Sequence, residues 1–175
     1  MKQLLLLISA ITCLQMLVNG QQAGTNTGYD TPEALIRDVY KAVSAKDGES
    51  VDWVKVRSFF LNEAVVILRT APNESKQFTV DGFIQDFKTF YQEPGLKSSA
   101  GFEEKILSMK SMVYKDIACI TTVYSAAITG RSTPPGRGVD LWLLSKKEGQ
   151  WKITSVVNEV IPAGQELPDE PGWKF

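Results

Sequence analysis

The sequence predicts an α+β domain in which three N-terminal helices pack on a curved, mainly antiparallel sheet. Three observations predict it. Apolar residues recur at the 3.6-residue period in stretches that all lie before residue 92. From residue 104 to residue 161 the chain is instead β-branched and alternating, with only short polar breaks. Helical stretches followed by a run of consecutive strands are the order that covers one face of an antiparallel sheet with helices.

The first helix is signalled by Thr31 as N-cap, Pro32 at the first helical position and Glu33 in the positive first turn. Leu35, Ile36, Val39, Tyr40 and Val43 then share a face, and Lys46-Asp47-Gly48 ends it. A shorter helix is predicted from Val51 to Phe60, with Trp53, Val56, Phe59 and Phe60 as its buried positions. Ala64 to Thr70 reads as a first strand and Ala71 to Ser75 as a turn. A third helix follows over Thr79 to Tyr91, carrying Val80, Phe83, Ile84, Phe87 and Phe90. After a loop from Pro94 to Gly101, four strands are predicted at Glu104–Tyr114, Ile117–Thr129, Val139–Ser145 and Trp151–Ile161. Pro134-Pro135 keeps the break between the second and third of these out of the sheet interior.

Composition narrows the chemistry. The 175 residues include no histidine, which excludes Ser-His-Asp and Cys-His catalysis and His-ligated zinc. Acid/base work must fall to carboxylates, Tyr, Lys or Cys. With 19 Lys+Arg against 20 Asp+Glu there is no basic footprint for nucleic acid. No phosphate loop, metal-spaced cluster or internal repeat occurs, so no cofactor or metal is called for.

Residues 1–20 read as a secretory signal peptide: Lys2 gives a positive start, Leu4 to Val18 is apolar, and Val18-Asn19-Gly20 suits cleavage after Gly20. The apolar run is short for a spanning helix, which needs roughly 20 residues, although retention as an anchor is the alternative. The expectation is an exported protein, periplasmic or secreted, with no membrane contact after cleavage. Residues 21–30 form a polar lead-in, 31–161 one domain, and 162–175 an extended tail with Trp173 and Phe175 near its end. Cleavage removes Cys13 and leaves Cys119 alone in an apolar strand, where it reads as a small buried hydrophobe and not a reactive thiol.

Several motifs resemble one superfamily in the right order. Asp52-Trp53 with Leu-like Val56, Arg57-Ser58-Phe59-Phe60 and Asn62-Glu63-Ala64 is similar to a second helix and strand entry common in its bacterial members. Gly101-Phe102-Glu103-Glu104 with Ile106 resembles a strand start of one poorly characterised bacterial subgroup. Ala118 to Tyr124, Arg137-Gly138, Trp142, Gly149 to Ile153 and Glu159 resemble that subgroup's tail. The superfamily is the nuclear transport factor 2-like (NTF2-like) one, which includes the SnoaL-like cyclases and ketosteroid isomerase. The resemblance implies a cone enclosing a pocket that serves catalysis, small-molecule binding or protein association in different members. It fixes a container and not its contents. The chain departs from the cyclase pattern in lacking histidine and in carrying Val156-Val157-Asn158-Glu159 where an aromatic is usual.

Alternation places Trp151, Ile153, Ser155, Val157 and Glu159 on one face of the last strand, which makes Glu159 a carboxylate on a largely apolar face. Asp140 shares a face with Trp142, and Tyr124 one with Ala118, Ile120, Thr122 and Ala126. A carboxylate in an apolar pocket has its pKa raised and suits general acid/base catalysis, which makes Asp140 and Glu159 the catalytic candidates. Tyr40, Trp53, Arg57, Glu104, Tyr124, Arg137 and Trp142 are the ligand-binding candidates. The alternative is a structural network in which Arg57 and Arg137 pair with Glu159, Glu104 or Asp140, and Trp53, Trp142 and Trp151 fill the core. Three functions remain open: a pocket domain binding a small, largely apolar molecule; a carboxylate-dependent isomerase, dehydratase or cyclase; and a module that forms homodimers through the outer face of its sheet.

Overall fold

Thr31 caps the first helix as its sequence demands, its hydroxyl accepting from the Ala34 amide at 3.2 Å. Helix α1 (Pro32–Val43) buries Leu35, Ile36, Val39, Tyr40 and Val43. The structure, a computed structural model, describes residues 29–46, 49–71, 73–92 and 101–165. The predicted signal segment, most of the lead-in and most of the tail lie outside the described residues.

A two-residue strand β1 (Ala45–Lys46) follows, then helix α2 (Trp53–Ser58), capped by Asp52. Strands β2 (Phe60–Ala71) and β3 (Glu74–Thr79) form a hairpin, and helix α3 (Val80–Gln92) follows it. Four long strands complete the sheet: β4 (Gly101–Tyr114), β5 (Ile117–Ile128), β6 (Gly136–Lys147) and β7 (Gln150–Ile161). The sheet order is β1-β4-β5-β6-β7-β2-β3. All pairs are antiparallel except β2 with β7.

The α+β class stands, with corrections to the elements. The second helix has six residues and not ten, because Asp52 caps it late and Phe60 already pairs with Ile153. Residues 74–79 are strand where the sequence suggests a turn running into a helix. Their side chains are almost all exposed, so β3 is held by ladder bonds to β2 and carries no apolar alternation. Helix α3 therefore follows a hairpin instead of joining an uninterrupted helical run.

The core lies between the helices and the inner face of the sheet. Two bulges shape that face. In β4, Ile106 pairs with Tyr124 and Ser108 with Val123, so Leu107 is an extra residue and is half exposed. In β7, Ile153 pairs with Leu144 and Ser155 with Leu143, which leaves Thr154 extra; its hydroxyl donates to the Leu143 carbonyl at 3.0 Å. An extra residue reverses which face every later side chain occupies. Trp151 and Ile153 point inward before the bulge, and Val156 and Asn158 point inward after it.

Cys119 is not the fully buried hydrophobe its apolar run suggests. It is half-buried on the outer face, because the inward positions of β5 are Ala118, Ile120, Thr122 and Tyr124.

Candidate functional site

Register builds the site. Across the inner face, Thr122 of β5 stands opposite Asp140 of β6, and Asp140 opposite Asn158 of β7. The next row puts Tyr124 opposite Gly138. A Cβ on Gly138 would lie 2.4 Å from the Tyr124 hydroxyl oxygen and 2.5 Å from its ring, so only glycine lets that ring lie across β6. From above, α1 lowers Tyr40 onto the Thr122–Asp140 row.

These groups form one directed hydrogen-bond chain. The Trp142 indole donates to the Thr122 hydroxyl at 3.0 Å. Thr122 and the Tyr40 hydroxyl are 2.7 Å apart, and Tyr40 in turn donates to Asp140 Oδ2. A phenol has one proton. Since Tyr40 gives its own to the carboxylate, Thr122 must be the donor toward Tyr40. The Asn158 amide nitrogen donates to Asp140 Oδ1 at 2.9 Å and to the Tyr124 hydroxyl at 2.7 Å, which uses both of its protons. Tyr124 therefore accepts from Asn158, and among the described residues nothing accepts its own proton.

That cavity has a volume of about 170 Å³ and sits between the sheet and α1, α2 and α3. Tyr40, Glu104, Tyr124, Asp140, Trp142 and Asn158 give its polar and aromatic wall; Val39, Val43, Leu68, Phe87 and Val156 are among its apolar lining. An apolar cavity of about 150 Å³ holds a benzene molecule. This one has room for a single ring or a short branched chain.

Burial dominates the electrostatics. Asp140 is 8% exposed, and burial raises its pKa to about 6 against the lowering effect of the Tyr40 and Asn158 hydrogen bonds. Burial, then the charge of Asp140, pushes Glu104 up to about 8. No hydrogen bond from a described residue reaches the Glu104 carboxyl. Burial, the Asp140 charge and its hydrogen bond hold the Tyr40 phenol protonated well above the ordinary tyrosine range. Tyr124 is raised in the same direction by burial and Asp140. At neutral pH the cavity thus presents an ionised Asp140, a largely neutral Glu104 and two protonated phenols.

The candidate residues divide cleanly. Tyr40, Glu104, Tyr124, Asp140 and Trp142 meet at the cavity. Glu159 does not: the Thr154 bulge turns it outward, where it pairs with Arg69 at 3.1 Å. Arg57 reaches Asp81 at 2.8 Å and Asn62 at 3.2 Å on the surface, and Arg137 donates to the Gln165 carbonyl at 2.7 Å. Neither arginine pairs with Glu104, Asp140 or Glu159, so the expected arginine–carboxylate network is absent among the described residues. Trp53 packs edge-on against Phe87 and Tyr91, with ring centroids 6.0 Å away in each case, behind the cavity wall. Asn158 was not among the candidates. Its signal is the Thr154-Ser155 pair, after which the apolar alternation resumes out of phase at Val156. Among the described residues no group of three or more His, Cys, Asp or Glu side chains is placed to hold a metal ion.

The fold and this pocket define a class: a helix-covered, strongly curved sheet closed around a small cavity, the NTF2-like fold. Among solved structures, the chain is similar to an NTF2-like protein of unknown function from Pseudomonas putida, at a TM-score of 0.58 and 12% identity over 73% of this chain and 82% of that one. It is similar to a protein of unknown function with a cystatin-like fold from Nostoc punctiforme, at a TM-score of 0.57 and 12% identity over 75% and 89% of the two chains. It also matches a candidate scytalone dehydratase from Novosphingobium aromaticivorans, at a TM-score of 0.53 and 16% identity over 77% and 92%. No family model matches the sequence, and no curated protein matches it. At these identities the likeness is one of fold.

Proposed function

We propose that this chain is a pocket domain that binds a small, largely apolar molecule through one polar group. The carrying observation is the 170 Å³ cavity whose apolar lining is interrupted by the Tyr124 hydroxyl and the Glu104 carboxyl, neither of which has its hydrogen-bonding capacity used up by the described residues. Apolar walls with a few convergent polar groups are the usual make-up of a small-molecule site. Melting the protein with neutral single-ring compounds such as phenol, benzyl alcohol and cyclohexanol tests the reading. A ligand that binds only the folded state raises the melting temperature, and the Tyr124, Trp142 and Phe87 resonances should shift with it. Shifts confined to residues away from the cavity, or no shift with any ring compound, would refute it.

A second reading has its own support. Asp140, held near pKa 6 and oriented by two hydrogen bonds, would serve as a general base, and Tyr124, whose proton no described residue accepts, would stabilise an oxyanion. That pairing suits an isomerase or dehydratase acting on a one-ring carbonyl compound, in keeping with the candidate scytalone dehydratase among the fold relatives. Turnover of a 3-hydroxy ketone that disappears in Asp140→Asn would support it, and unchanged turnover in that variant would remove it.

Two expectations from the sequence belong to the same proposal. The leader of residues 1–20 supports export, tested by the mass of the mature N-terminus. The outer face of the sheet exposes Met112, Ile117, Leu141 and Leu143, which supports a homodimer, tested by sedimentation.

A further inference from the structure

Among its described residues the cavity wall carries acids and aromatic rings but no cation. Glu104 and Asp140 both line it, Tyr40, Tyr124 and Trp142 add their rings, and none of its described lining residues is Lys or Arg. An anion entering there would meet like charge in a water-poor site, which is costly. A neutral ligand would bring no charge to balance the ionised Asp140.

We propose that this cavity takes a small lipophilic cation, a protonated amine on a single ring or short branched chain, with its ammonium at Glu104 and Asp140 and its apolar body against Phe87 and Val156. The inference rests on the cavity being a ligand site. Glu104 accepts no hydrogen bond from a described residue, while each Asp140 oxygen accepts one and has a lone pair left. An ammonium supplies three donors to these acceptors. The rings stand close together, with the Tyr40 centroid 6.1 Å from that of Tyr124 and 6.0 Å from that of Trp142. A desolvated cation seated over one of these ring faces, within about 6 Å of its centroid, is attracted by it.

Proton linkage gives the site a signature. The titratable groups that act on Glu104 or are acted on by it are Asp140 of β6, Tyr40 of α1, Tyr91 of α3 and Tyr124 of β5, and none of them is basic. With its pKa at about 8, Glu104 holds a proton at neutral pH that an arriving ammonium displaces. Amine binding therefore releases a proton near pH 7 and tightens as pH rises toward 8. A neutral isostere shows neither effect.

Calorimetric titration of the full chain with benzylamine, benzyl alcohol and benzoate, at pH about 6.5 and about 8.5, decides the matter. At the higher pH the amine should bind at least about tenfold more tightly than the alcohol, and the preference should shrink at the lower pH as Glu104 keeps its proton. Glu104→Gln should erase the amine's preference over the alcohol; should that variant misfold, Asp140→Asn serves as the second variant and should weaken the amine more than the alcohol. Alcohol or benzoate binding as tightly as the amine at both pH values would overturn the cation inference and leave the pocket reading standing. No binding of any of the three compounds would overturn both.

Discussion

Replacing Glu104 with glutamine should stabilise the protein, by an amount that grows with pH. In the unfolded chain a glutamate ionises with a pKa near 4.5, whereas in the cavity burial and the Asp140 charge hold Glu104 at about 8. Between these values the folded state binds a proton that the unfolded state has released. Stability is therefore full below pH 4.5 and is lost as pH rises toward 8, at about 1.4 kcal/mol per pH unit. The accumulated cost is at most about 3 kcal/mol at pH 7 and about 4 kcal/mol at pH 8, approaching about 5 kcal/mol above it. Glutamine is neutral in both states and carries no such cost. Urea denaturation of the two proteins at a series of pH values is the assay, and the comparison cancels titrations they share. The stability difference should be near zero at pH 4.5, rise through neutrality and flatten above pH 8. A difference that stays constant with pH would show an ordinary carboxylate at position 104 and refute the reasoning.

Tyr40→Phe should cost about 1.5–3 kcal/mol in urea denaturation at pH 7, because it strips a donor from the buried Asp140 carboxylate. Tyr124→Phe removes a hydroxyl that, among the described residues, only accepts, so its stability cost should be smaller, about 0.5–1.5 kcal/mol, while ligand binding falls sharply. Gly138→Ala should cost about 1–3 kcal/mol by overpacking and displace the Tyr124 ring, visible in the near-ultraviolet circular dichroism. Asp140→Asn should fold, with Asn158 turned so that its oxygen accepts from both neighbours; it should also lower the Glu104 pKa, read as a downward move of the pH window above.

Much of this was legible before any coordinates. Capping and periodicity place α1, and the even-numbered alternation of β5 and β6 puts Tyr124, Asp140 and Trp142 on one face. The single-residue bulge at Thr154 was not, because alternation has no term for an extra residue and one is enough to exchange Glu159 for Asn158. Strand β3 carries no apolar pattern, since its side chains face solvent and only its backbone is used. The arginines misled for a different reason: charge complementarity in a sequence says nothing of distance, and Asp81 and the Gln165 carbonyl lie nearer than any cavity acid. Glu104 is visible as an acid on a strand, but that no described residue hydrogen-bonds its carboxyl follows only from the way α1 and α3 close over β4.

The most direct test of the central claim is a crystal structure of the protein soaked in benzyl alcohol. The ring should lie in the cavity beside Val156 and Phe87, with its hydroxyl within hydrogen-bonding distance of the Tyr124 hydroxyl or the Glu104 carboxyl. Density for the compound only outside the cavity, with Tyr124 and Glu104 undisturbed, would contradict the account.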